Sequence, residues 1–111
     1  MKGLPGIVDG VPPFESFRDR VAVVTGAASG IGRDLMFALV RRGVHVAACD
    51  PNAQKLQSAV RKAQRLDPKI RVTSHVCDVS DRLAVNKLQL DVAREHGTDR
   101  IHFLFNNAGA I

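Results

Sequence analysis

The chain has 111 residues and a mass of 12.0 kDa, enough for one domain and too little for two. Apolar residues at 45% and charged residues at 24% exclude long disorder, and five Phe with no Trp and no Tyr leave an aliphatic core. Sixteen Lys and Arg against eleven Asp and Glu give a charge of +5, but the bases are scattered and the aromatics few. The excess therefore reads as solvated surface, with no nucleic acid partner.

Residues 1–19 carry Gly3, Pro5, Gly6, Gly10, Pro12 and Pro13, too dense a punctuation for a helix or an inner strand. They are expected to form an irregular N-terminal arm, with Phe14 and Phe17 able to lie against the body. Residues 20–111 form the second unit. Val21-Ala22-Val23-Val24 is a short β-branched run that ends in Thr25-Gly26, as a buried parallel strand does. Ile31 to Arg42 is predicted helical, stopped by Gly43, with Leu35 and Leu39 inward. Val44 to Cys49 is a second strand. Ala53 to Leu66 is a helix with Leu56, Ala59, Val60, Ala63 and Leu66 at helical spacing. Ile70 to Cys77 is a third strand. Ser80 is the expected N-cap of a third helix, with Leu83, Leu88 and Val92 inward and Gly97 at its end. Ile101 to Phe105 is a fourth strand.

Strands that begin near 21, 44, 70 and 101 give strand-plus-helix units of 23 to 31 residues, the length of right-handed parallel crossovers. The predicted fold is α/β, a Rossmann-like doubly wound parallel sheet truncated after the fourth strand, with strand order 3-2-1-4. Phe103 and Phe105 fall on one side of the last strand and Leu104 on the other, so both faces are expected to be buried. A fifth strand is expected at the outer edge. Without it, Ile101 to Phe105 offers unpaired backbone to a neighbour, and the chain alone is expected to be marginal or to associate.

Cys49 and Cys77 belong to no Cys-x-x-Cys pair and read as small buried residues in a reducing compartment. No apolar run approaches the ~20 residues of a membrane span, and no apolar stretch follows Lys2 as a secretory signal would require. A soluble, cytoplasmic protein is expected, with no membrane partner.

Thr25-Gly26-Ala27-Ala28-Ser29-Gly30-Ile31-Gly32 joins the first strand to the first helix. Its glycines permit a tight turn, close approach of a ligand and close packing of helix on sheet, and the helix N-terminus aims free N–H groups at a pyrophosphate. The bland alternative is a turn of small residues. Asp50 ends the second strand, 24 residues after Gly26. A carboxylate there can accept from both ribose hydroxyls and repels a 2′-phosphate; alternatively it caps the helix ahead of Pro51. Asp78 follows the third strand in the same way. It can accept from an adenine amino group while the backbone of Val79 approaches the ring, or it can be a cap or turn residue. Asn106-Asn107-Ala108-Gly109 follows the fourth strand, with amides and small residues suited to backbone contact with a ligand. The four histidines, at 45, 75, 96 and 102, fall in apolar runs or at a helix end and read as structural.

Residues 17–111 resemble the short-chain dehydrogenase/reductases. The resemblance rests on Thr-Gly-x-x-x-Gly-Ile-Gly at 25–32, the acid at 50, Asp78-Val79 and Asn-Asn-Ala-Gly at 106–109. The three-residue gap between the first two glycines marks this family. The resemblance implies that Gly26, Ser29, Gly30, Ile31 and Gly32 line the pyrophosphate of a nicotinamide dinucleotide. It places Asp50 at the adenosine ribose, Asp78 and Val79 at the adenine, and Asn107, Ala108 and Gly109 along the inner face of the cofactor. Asp50 favours NAD over NADP, with Arg33 the counter-argument.

The family also carries a Ser and a Tyr-x-x-x-Lys after the Asn-Asn-Ala-Gly segment, in which the phenol relays a proton and the Lys lowers its pKa. This chain has no Tyr, so it holds no catalytic residue of that set and no metal site, and alone it is expected not to turn over. Two functions follow. The chain is the cofactor half of an oxidoreductase acting on a small alcohol or carbonyl substrate, a homo-oligomer when complete. Alternatively, it is a free-standing nucleotide-binding or regulatory module.

Overall fold

The computed structural model describes residues 18–98 and 101–107. Seven elements alternate among them: β1 (Val21–Thr25), α1 (Gly30–Arg41), β2 (His45–Asp50), α2 (Ala53–Leu66), β3 (Val72–Val76), α3 (Arg82–His96) and β4 (Phe103–Asn106). The strands pair in parallel in the order β3-β2-β1-β4. The fold is α/β, Rossmann-like, with the expected order. The chain winds from β1 outward to β3, then returns to lay β4 on the other side of β1. That reversal opens a crevice above β1, where open α/β sheets bind ligands.

β1 is buried at all five positions and β2 at its four central ones because helices cover both faces. Val24, Val46, Ala48 and Val72 face Met36 and Val40 of α1 and Leu56, Ala59, Val60 and Ala63 of α2. Val21, Val23, Ala47 and Cys49 face Leu88 and Val92 of α3. Neighbours such as Val23 and Val24 divide between the faces, as the two-residue strand period requires.

Several expected boundaries and faces move. α1 begins at Gly30, and its buried line is Gly32, Met36 and Val40; Leu35 and Leu39 flank it, half-buried. Leu66 is exposed at the last position of α2, where the packed line has ended at Ala63. β3 starts at Val72 because Ile70 closes a turn, its N–H donating to the Asp67 carbonyl at 3.0 Å. Asp81, not Ser80, caps α3: its carboxylate accepts from Leu83 N at 3.0 Å and Ala84 N at 3.4 Å. Ser80 is drawn away, its hydroxyl donating to Asp78 Oδ1 at 2.7 Å. Leu83 is then exposed, beside the inward line of Ala84, Leu88 and Val92. Gly97 ends α3 at φ +62°, a left-handed conformation that suits glycine.

β4 begins at Phe103 and not Ile101, because the His102 ring accepts from Val21 N at 3.0 Å while His102 N donates to the Val21 carbonyl at 2.9 Å. Phe105 packs on the α1 side. Leu104 does not become buried: it is 68% exposed, beside an apolar groove of about 400 Å³ lined by Val23, Val85, Leu88, Val92 and Ile101. The expectation for residues 1–17 lies outside the described residues. Among those described, no helix is long and apolar enough to cross a membrane.

Candidate functional site

The strand register brings Thr25, Cys49 and Asn106 to one level, with Asp50 beside Val76. Above them the chain must turn from buried β1 into α1 within four residues. It does so with Gly26 at φ +66° and Gly30 at φ +60°, a region that costs side-chain-bearing residues about 1–2 kcal/mol.

The second and third glycines of the loop serve different ends. A Cβ on Gly32 would lie 2.1 Å from the Gly26 carbonyl oxygen and 3.0 Å from Asn107 Nδ2. No side chain fits, so α1 sits directly on the loop and on the exit of β4. A Cβ on Gly30 would meet nothing within 4 Å. The space there is open, which is the condition for a ligand to reach the backbone. Ser29 holds the N-cap position of α1 with no side-chain capping bond, and no acid lies in the first turn. The first N–H groups of α1 thus have no carboxylate from their own helix. Ile31 is exposed at the same end.

Asp50 braces this loop. Its Oδ2 accepts from Ala28 N at 3.2 Å and its Oδ1 from Asn52 N at 2.9 Å. It is not the cap of α2: Asn52 is, accepting from Lys55 N at 3.0 Å. Each carboxylate oxygen keeps a further lone pair for a ligand hydroxyl.

Asp78 joins the site through the neighbouring bond from Cys77 N to the Asp50 carbonyl at 3.2 Å. Its Oδ1 accepts from both the hydroxyl and the N–H of Ser80. These bonds, the hydroxyl's first, hold the exposed carboxyl below the usual carboxylate range. The turn alternative is thus realised at Asp78. The Val79 side chain turns inward against the α3-side core.

Thr25 is a brace the sequence reading passed over. Its hydroxyl lies 3.1 Å from Asn106 Oδ1 and 3.4 Å from the Phe105 carbonyl, and accepts from Asn107 N at 2.9 Å. A hydroxyl buried at the end of a wholly apolar strand was the available signal. Ala108 and Gly109 lie outside the described residues.

This end can present backbone donors to a pyrophosphate and carboxylates to hydroxyls. It holds no phenol, since the chain has none. Burial, then the neighbouring Cys77, pushes the Cys49 thiol up to about 12, so it remains protonated and unreactive. Among the described residues no cluster of His, Cys, Asp and Glu is arranged to hold a metal ion.

A family model for short chain dehydrogenases matches residues 20–111. The 3-oxoacyl-[acyl-carrier-protein] reductase of Thermotoga maritima is 37% identical over 90 residues, 81% of this chain and 35% of that protein. An NAD⁺-bound xylitol dehydrogenase superposes with a TM-score of 0.77 at 35% identity, over 84% of this chain and 34% of the other. The L-sorbose reductase of Gluconobacter frateurii, complexed with NADPH and L-sorbose, gives a TM-score of 0.77 at 26% identity, over 85% and 35%. The chain spans about a third of the length of the curated relatives it matches. With family model, strand order and loop geometry in agreement, the chain belongs to the short-chain dehydrogenase family of oxidoreductases.

Proposed function

We propose that residues 20–111 are the dinucleotide-binding part of an oxidoreductase that moves hydride between a nicotinamide cofactor and a small alcohol or carbonyl substrate, and that residues 1–19 are an arm outside it. The observation that carries this reading is the contrast within one loop: Gly32 admits no side chain, while Gly30 faces open space. Bound there, the cofactor supplies the hydride; the residues of this chain bind and orient it. Gly26, Ser29, Gly30, Ile31 and Gly32 line the pyrophosphate. Asp50 takes the adenosine ribose, Asp78 and Val79 the adenine, and Asn107, Ala108 and Gly109 the inner face. A homo-oligomer is the expected assembly of the complete enzyme.

NAD is the preferred cofactor, since Asp50 places a negative charge at the ribose. The two cofactor-bearing neighbours differ, one with NAD⁺ and one with NADPH, so the choice rests on this chain's own acid. Titration of both cofactors tests it: NAD should bind more tightly, and Asp50→Ala should narrow the difference. Tighter NADP binding would refute it.

The 111 residues alone bind without turnover, because no Tyr is present to relay a proton. Substrate-dependent NADH oxidation above that of a Gly30→Trp control would show otherwise.

A further inference from the structure

At the N-terminal ends of the strands, away from the glycine-rich loop, lies a pocket of about 220 Å³. His45 at the start of β2, Lys69 and Arg71 on the approach to β3, and His96 at the end of α3 line it. Every one of these side chains is a base. None of the acids nearby lines the pocket. Asp19 faces His45 Nε2 at 3.4 Å, Asp67 accepts from Lys69 N at 3.1 Å, and Glu95 faces His75 Nε2 at 3.3 Å.

The lining groups are held in place and still have donors to spare. Arg71 Nη1 donates to the Glu95 carbonyl at 2.6 Å, and the guanidinium keeps four more N–H donors, whose planar spacing matches two oxygens of an oxyanion. Lys69 is exposed, and no ion pair of its ammonium is present among the described residues. His96 Nε2 lies 2.7 Å from Thr73 Oγ1, but its Nδ1 is buried with no hydrogen-bond partner, an unusual state for a polar atom. Burial, then the charges of His75, Arg71 and His45, hold His96 down at about 4. An anion in the pocket reverses that field: it offsets Lys69 and Arg71 and favours the imidazolium.

We propose that this pocket is a binding site for a small tetrahedral oxyanion, phosphate or sulfate, held by Lys69 and Arg71 and coupled to uptake of a proton by His96. It stands at the opposite end of the strands from the glycine-rich loop, so it does not depend on the dinucleotide reading. Linkage makes the coupling reciprocal: the anion raises the affinity of His96 for a proton, and acid raises the affinity of the pocket for the anion.

Sulfate is the probe, because it keeps its full charge over the range in which histidine titrates and phosphate does not. It also stabilises proteins by exclusion from their surface, so a melt is not the readout. The imidazole resonances of the 111-residue chain are followed by NMR against pH in sodium sulfate and in sodium chloride of equal ionic strength. His96 should titrate about one unit higher in sulfate. Calorimetry should show sulfate affinity rising at least about threefold from about pH 8 to about pH 5. Lys69→Gln, which removes no bond of the fold, should weaken sulfate binding about fivefold or more, and Lys69→Gln/Arg71→Gln should abolish it. His96→Gln should still bind sulfate but lose the pH dependence. The proposal is overturned if His96 titrates identically in the two salts, or if sulfate binds Lys69→Gln as it binds the parent.

Discussion

The two ends of the sheet treat polar groups in opposite ways. At the C-terminal ends of the strands, positive-φ glycines turn the loop into α1, its first N–H groups carry no side-chain cap, and Gly30 faces open space. At the other end the polar side chains are joined to one another. Thr73 Oγ1 lies 2.8 Å from His75 Nε2 and 2.7 Å from His96 Nε2, and His75 Nε2 lies 3.3 Å from Glu95 Oε2. His45 Nδ1 accepts from Arg71 N, and Arg71 donates to the Glu95 carbonyl at the end of α3. The Thr73 hydroxyl thus stands between two imidazole nitrogens, one of which also faces the Glu95 carboxylate. The closed end pins α3 to β3; the open end leaves a place for a ligand. His45, His96 and His102 lie at the closed end; His75 stands level with Cys49 on β3 and is tied to that end through Thr73 and Glu95.

The largest expected effect comes from closing the open end. Gly32→Val places a side chain against the Gly26 carbonyl and Asn107, and should cost about 3 kcal/mol or more in a denaturant melt. A melt unchanged by Val would mean the helix does not rest on the loop.

Acid should open the closed end. Burial, then the charges of His75, Arg71 and His45, lower His96 from 6.5 to about 4, and burial lowers His75 as well. The folded chain therefore holds fewer protons than the unfolded one between these values. The stability is present above about pH 6.5 and is lost as pH falls toward 4. Screened by solvent at a half-buried ring, the His96 contribution between pH 7.5 and 4.5 is about 1 kcal/mol. Melts at the two values should show it, and His96→Gln should flatten the loss.

Smaller effects separate two neighbouring acids near the open end. Asp81→Ala removes the α3 cap and should lower stability by about 1 kcal/mol. Asp78→Asn should leave the melting midpoint in place and act on nucleotide binding. Equal effects on stability would erase the distinction between a cap and a ligand residue.

Much of this was legible in the sequence. The alternation of β-branched runs with helical spacing gave the elements in order, and the doubly wound arrangement of such units gave the strand order 3-2-1-4. The glycine spacing located the open loop. What could not be read was which acid does what. Asp50, Asp78 and Asp81 all follow or open an element, and only the fold shows one bracing the loop, one closing a turn and one capping α3. Thr25 was hidden for the same reason: its partners lie about eighty positions away, at the end of β4 and just past it. Leu83 and Leu104 read as inward because periodicity gives a side but not what covers it.

The central claim is that the open loop receives a dinucleotide, and NADH fluorescence measures that most directly. The 111-residue chain should bind NADH saturably, and Gly30→Val, which fills the open space without touching the core, should weaken binding by at least about tenfold while the chain still melts cooperatively. Equal binding by the parent and the Gly30→Val variant would contradict the account.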